Sequence, residues 1–242
     1  MRSFVILAAA SVVVSWTLAA AESTPGAPRT PDGKPDFSGL YTIPYTPNMA
    51  QGKEQDVPYT ELGRQAFLNH DSKDDPTSNC WFPGVPRIMQ SPYPARIVQT
   101  HDYLVILFEY NTMFRMIPLD GRPHSDKMEP SFMGDSVGHW DGDTIVVDTT
   151  TLKGPPWTWL DTAGHQHSDQ LHVIEHFRPG KNGAVDYDFV VDDPKMYSKP
   201  WVNSRPLMPL KPTPGLPDLI EYNCSENNKD LQHLRSNKPA LH

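Results

Sequence analysis

Cysteine is scarce in this chain: Cys80 and Cys224 are the only two in 242 residues. Neither has a second ligand at zinc spacing, which excludes a cysteine-based zinc site. Runs of Lys or Arg are also missing, and the formal charge is −8. A nucleic-acid binder needs a basic stripe to neutralise phosphates, so that class of partner is excluded. There is no Gly-rich phosphate loop, no Gly-x-Ser-x-Gly nucleophile elbow and no internal repeat of 20–50 residues. P-loop, α/β-hydrolase and solenoid readings fall with them.

What is present begins with Arg2 and a run from Phe4 to Val14 that is apolar except for Ser11. Ala19, Ala20 and Ala21 then precede Glu22, which fits a signal peptide over residues 1–21 cleaved after Ala21. Removal leaves 242 − 21 = 221 residues, a length for one domain, with the charge moving to −9 as Arg2 is lost. No Cys follows the apolar run, so a lipid anchor is not expected, nor is membrane insertion after cleavage. The expected compartment is periplasmic or secreted. In oxidising surroundings an even cysteine count reads as a bridge, Cys80 to Cys224.

Residues 22–58 carry Pro25, Pro28, Pro31, Pro35, Pro44, Pro47 and Pro58, and read as an extended arm whose one strand-like piece is Phe37–Tyr41. The remainder, 59–242, reads as one antiparallel β domain. Thr60 caps a helix to Asn69, with Leu62, Ala66 and Phe67 on one face. Hairpins follow: Arg96–Thr100 with Tyr103–Tyr110, then Met113–Leu119, then Ser136–Trp140 with Thr144–Thr150 across Asp141-Gly142-Asp143, a type I′ signal. Leu171–Arg178 and Ala184–Asp192 form another, Trp201–Leu207 and Asp218–Asn223 supply two more strands, and Ser225 caps a short helix to about Arg235. Consecutive hairpins without crossover helices predict an up-and-down antiparallel barrel, with a β-sandwich as the alternative.

Thr30-Pro31-Asp32-Gly33-Lys34-Pro35-Asp36-Phe37-Ser38-Gly39 resembles the opening of a large group of exported bacterial proteins. Trp140-Asp141-Gly142-Asp143-Thr144, His167-Ser168-Asp169 and the stretch from Glu221 to Asn228 resemble later blocks of that group. The resemblance implies export and adds no chemistry. Gly39-Leu40-Tyr41 also resembles the Gly-x-Trp opening of lipocalin barrels, with Tyr for Trp.

Several strands run apolar residues into one carboxylate, and strand alternation decides where each points. Leu171, Val173, Glu175 and Phe177 share the apolar face of their strand, so Glu175 points inward. Asp192 falls on the polar face of its own, and Glu109, Asp148 and Glu221 are ambiguous. A lone buried carboxylate costs several kcal/mol, on the order of the effective burial penalty. Glu175 therefore either pairs with Arg115 or serves as a pocket acid–base group tuned by Arg115 or Glu109.

His165 and His167 lie in a Gly164-led loop and are placed at the rim of that site. His-x-His is a spacing metals use, but a third ligand from Asp161, Asp169 or His139 would be required, and no metal is expected. His172 and His176 fall on a polar, solvent-facing side. Ser168 and Asp169 offer hydrolase residue types without an elbow. Tyr110, Asp148, Trp159, Asp161 and Glu221 complete the ligand-lining candidates.

The reading is an exported barrel that takes a small apolar or aromatic molecule, with cofactor-free isomerase, lyase or cyclase chemistry, or with binding alone. The oligomeric state is left open.

Overall fold

The computed structural model describes residues 27–226. The expected leader at 1–21 and all but the first two residues of the helix expected from Ser225 lie outside them. Ten antiparallel strands run in sequence: β1 Gly39–Thr42, β2 Ala95–Gln99, β3 Tyr103–Phe108, β4 Phe114–Pro118, β5 Asp135–Asp141, β6 Thr144–Thr150, β7 His172–Pro179, β8 Val185–Asp192, β9 Trp201–Ser204 and β10 Met208–Pro209. They pair as two five-stranded sheets, β10-β1-β2-β3-β4 and β5-β6-β7-β8-β9.

The sheets meet at both seams. Beyond β9 the chain bridges β8 once more at Val185–Leu207 and then pairs β10 with β1. Pro206, which has no N–H, sits between Arg205 and Leu207, both of which donate to β8 carbonyls, and the chain changes sheet after Leu207. The strand expected over Trp201–Leu207 therefore lies against β8 along its length, as β9 and the Leu207 bridge, and the chain beyond it, β10, closes the ring on β1. At the other seam Gly121 N–H donates to Gly138 O at 2.9 Å. A Cβ on Gly138 would stand 2.9 Å from Leu119 Cδ2 and 3.2 Å from Ile117 Cγ2, so a larger residue there would make those side chains shift. The result is an all-β, up-and-down antiparallel barrel.

Alternation behaves as the residue types require. Val185, Tyr187, Phe189 and Val191 of β8 point inward, while Asp186 is exposed and Asp188 and Asp192 are half-buried on the outer face. Ile97, Leu104, Ile106, Ile117, Ile145, Val147, Val173 and Phe177 join the four β8 residues, each at most 1 % exposed. Side chains therefore pack the interior.

Three local expectations change. The Gly142-Asp143 turn has positive φ at Gly142 alone, the pattern of type II′ rather than I′. Helix α1 (Glu61–Asn69) keeps its Thr60 cap, but Leu62 is 59 % exposed. Its N-terminus is docked by Thr60, whose N–H donates to Met196 O and whose hydroxyl donates to Lys195 O, so no full apolar stripe is needed. Residues 218–223 form no strand: Ile220 N–H donates to the Glu109 carboxylate instead of to a ladder carbonyl.

The Cys80–Cys224 bridge is present, with Cα atoms 5.4 Å apart. No helix among the described residues is long and apolar enough to cross a membrane.

Candidate functional site

The 151–171 connection between β6 and β7 folds back on itself, with Leu160 N–H donating to His165 O at 2.8 Å. Gly164 makes this possible with φ of +96°. Inside the loop, Asp161 accepts from His165 Nδ1 at 2.6 Å, from His165 N–H at 3.1 Å and from Met49 N–H at 2.7 Å. Neither the Asp161 nor the His165 side chain is exposed. With Nδ1 carrying its proton toward a carboxylate, Nε2 of the neutral ring is left as the lone-pair atom, and it has no hydrogen-bond partner among the described residues.

Aromatic rings enclose this dyad. Phe67 stacks on His165 at 4.9 Å, Tyr59 at 6.0 Å, and Trp201 tilts against it at 5.1 Å. The Tyr59 hydroxyl also lacks a partner among the described residues, and burial together with Asp161 raises its pKa well above the usual phenol range.

Trp201 is a shared wall. It also faces a cavity of about 340 Å³ lined by Met49, Val57, Asn203 and Arg205, with Lys53 among the lining groups. Arg205 is 5 % exposed, and burial lowers its pKa. Its guanidinium donates to Ser204 O and Asn203 Oδ1, yet no carboxylate pairs with it among the described residues. Its Nε and the Asn203 amide nitrogen have no partner among them either. Apolar walls with a few convergent polar groups are the usual make-up of a small-molecule site.

The other sequence candidates disperse. Glu175 does point inward, and Arg115 meets it with Nη1–Oε1 2.9 Å and Nη2–Oε2 2.6 Å. Burial alone would lower Arg115; the adjacent Glu175 carboxylate outweighs that and holds it above its ordinary value. Tyr187 donates to Glu175 Oε1 at 2.8 Å, and burial drives that phenol far up. Glu109 does not tune this pair, because its carboxylate is engaged by Ile220 at the end of the β3–β4 hairpin. Tyr110 stacks there with Tyr222 at 5.7 Å, and Glu221 is exposed. Trp159 is buried edge-on against His70. Asp148 faces outward toward His172 and His124.

Neither loop histidine sits at a rim: His165 is 0 % and His167 2 % exposed. The His167 ring is held by Ser168 O at 2.9 Å and the Thr158 hydroxyl at 2.6 Å. Ser168 Oγ donates to Asp193 at 2.8 Å, and Asp169 pairs with Lys195, so the hydrolase residue types are tied into loop structure rather than into a relay. His167 and Ser168 do border a larger open groove of about 630 Å³ with Leu62 and Trp157. Sequence reasoning missed Arg205 and Tyr59. A single Arg at the end of the Trp201–Ser204 strand, directly ahead of Pro206, was the available signal.

No family model and no curated protein matches the chain. Among the solved structures that are similar at low level, two illustrate the range. The REP1-NXSQ fatty acid transporter has 14 % identity and a TM-score of 0.36, covering 74 % of this chain and 98 % of its own. A point mutant of the fluorescent protein UnaG has 13 % identity and a TM-score of 0.34, covering 73 % and 97 %. Likenesses this faint bear no weight for fold or function.

Proposed function

We propose that this is an exported protein that binds a small, largely aromatic or apolar molecule bearing an anionic group, with His165 available as a general base toward it. The leader pattern and the disulfide support export. The observation that carries the chemistry is the Asp161–His165 dyad: a carboxylate fixes the ring and its proton, and the opposite nitrogen is left unpartnered behind Trp201. Arg205 supplies the anion preference, since a buried guanidinium without a carboxylate gains most from a ligand that brings one. No cofactor enters this scheme.

Two probes test it. Anilinonaphthalene sulfonate is aromatic and anionic; N-phenylnaphthylamine is its uncharged relative. Arg205→Gln should weaken the first by about 10-fold or more, the scale of one charge-assisted hydrogen bond, and leave the second unchanged. Equal behaviour of both probes in wild type and variant rejects the site. For proton abstraction, 5-nitrobenzisoxazole opens when one C–H proton is removed. Wild type should accelerate this over His165→Gln by about 10²-fold or more.

The second reading is binding without reaction. It is favoured by one observation: Nε2 lies out of solvent reach, so one of the rings packed around it must swing aside before a ligand touches it. Equal rates for wild type and His165→Gln, with probe binding intact, select this reading.

A further inference from the structure

The β4–β5 connection, residues 119–134, brings His124 to the outer face of the second sheet. There its Nε2 stands 3.3 Å from Asp148 Oδ2 on β6. The Nε2 of His172, on β7, faces the other oxygen of the same carboxylate. Asp148 pairs in register with Ile174, which makes His172 its diagonal neighbour on that face. One potential ligand atom from each of the three residues lies within 4.8 Å of the others, and all three side chains are partly exposed.

Four features distinguish this cluster from an ordinary surface ion pair. Two imidazoles present Nε2 to a single carboxylate, a redundant arrangement for charge pairing alone. The His124–Asp148 spacing of 3.3 Å equals the edge expected between two ligands about 2.0–2.1 Å from a zinc-like ion, while the closer His172–Asp148 contact would have to open to admit one. Asp135 Oδ2 lies 3.3 Å from His124 Nδ1 and is itself held by Ser125 N–H at 2.7 Å. That is the carboxylate–histidine backing which fixes a ligating ring with its far nitrogen free for metal. Finally, His124 comes from a loop and the others from adjacent strands, so one ion would clamp 119–134 onto the barrel.

We propose that His124, Asp148 and His172 form a binding site for a divalent first-row transition-metal ion, with Asp135 orienting His124. Two imidazoles and one carboxylate match zinc and its neighbours rather than calcium or magnesium, which prefer all-oxygen shells. Three protein ligands on a partly exposed surface leave the fourth position to water. The spacing hides the site in sequence, because 148 − 124 = 24 and 172 − 148 = 24 residues separate the ligands.

The test uses the tag-free mature protein, stripped with chelator and titrated with Zn²⁺, with Co²⁺ as a spectroscopic probe and Ca²⁺ as control. The expected result is one equivalent of Zn²⁺ per chain, tetrahedral cobalt bands in the visible, no competition from Ca²⁺, and slower proteolysis within 119–134 on loading. His124→Ala and His172→Ala should each weaken binding by about 100-fold or more, and Asp135→Asn by about 10–100-fold. Absence of stoichiometric Zn²⁺ binding overturns the proposal. So does binding that survives in the His124→Ala/His172→Ala double variant, which would place the ion elsewhere. These side chains lie outside the packed interior, so melting curves should show the variants folded.

Discussion

Arg115 of β4 and Glu175 of β7 form a two-bond ion pair inside the barrel, with side-chain exposures of 1 % and 0 %. Arg115 also donates to Ser136 of β5 and Thr149 of β6, and Tyr187 of β8 closes the far side of the carboxylate. One guanidinium thus ties five successive strands together across the seam where backbone pairing between the two sheets lapses.

From that arrangement, Glu175→Gln should be strongly destabilising. The shape is kept, but Arg115 is left charged, buried and unpaired, and such a break costs about 3–5 kcal/mol. Replacing the whole set with Arg115→Met, Glu175→Leu and Tyr187→Phe should recover most of the loss, since no polar group is then orphaned. Urea unfolding of the three proteins checks both. A Glu175→Gln variant as stable as wild type would show that the pair is not structural and would return Glu175 to the acid–base candidates.

The Cys80–Cys224 bridge closes a loop of 144 residues. In the chain-entropy picture its loss costs about 5 kcal/mol, because the reduced unfolded chain regains that freedom. It also pins the 218–226 segment, where Cys224 N–H donates to Asn111 and Tyr222 packs on Tyr93 at 4.6 Å. The non-reduced protein should show no free thiol. Reduction should release this segment to proteolysis before the barrel strands open.

The hairpins and the inward aim of Glu175 were legible because period-2 alternation acts within one strand. Thr60 was legible as a cap, and the disulfide from an even cysteine count together with a leader-like opening. The change of sheet after Leu207 was not, since 201–209 looks extended throughout and only tertiary pairing separates its two ends. The burial of His165 was hidden for a related reason. A polar residue in a Gly-led loop reads as solvated until a local carboxylate and rings from residues 59, 67 and 201 enclose it. Residues 218–223 failed as a strand because their polar contacts go to Glu109 and Arg96 side chains, which no strand pattern anticipates.

Gly164 should be indispensable to the dyad. Its φ of +96° suits glycine alone, and an added Cβ would run into the His70 ring. Gly164→Ala should cost about 1–3 kcal/mol from backbone strain, with the steric clash adding to it. The loop must also shift, so His165 should lose its register with Asp161. In the 5-nitrobenzisoxazole assay this variant should resemble His165→Gln, while probe binding at Arg205 falls less. Retention of full activity would separate loop geometry from the dyad.

His167 gives the barrel a definite acid limb. Burial holds its imidazole below the ordinary value, with Ser168 O and Asp193 only partly offsetting that. In the unfolded chain the same ring titrates near about 6.5. As pH falls through that value the unfolded chain takes up a proton that the folded one refuses, so stability declines. The contribution is complete above about 6.5 and fully lost only below the depressed native value. His172 shifts the opposite way through its hydrogen bond to Asp148, but it is common to wild type and His167→Gln and cancels when the two are compared. Melting temperatures from pH 8 to pH 5 should therefore fall faster for wild type than for His167→Gln. The variant should start lower, because its amide cannot reproduce both the Thr158 and Ser168 contacts. Parallel curves would mean that folding leaves the His167 titration unshifted, and a wild type that falls more slowly than the variant would mean that His167 is protonated in the folded state, with Nε2–H donating to Thr158 and the hydroxyl passing its own proton to Lys153 O.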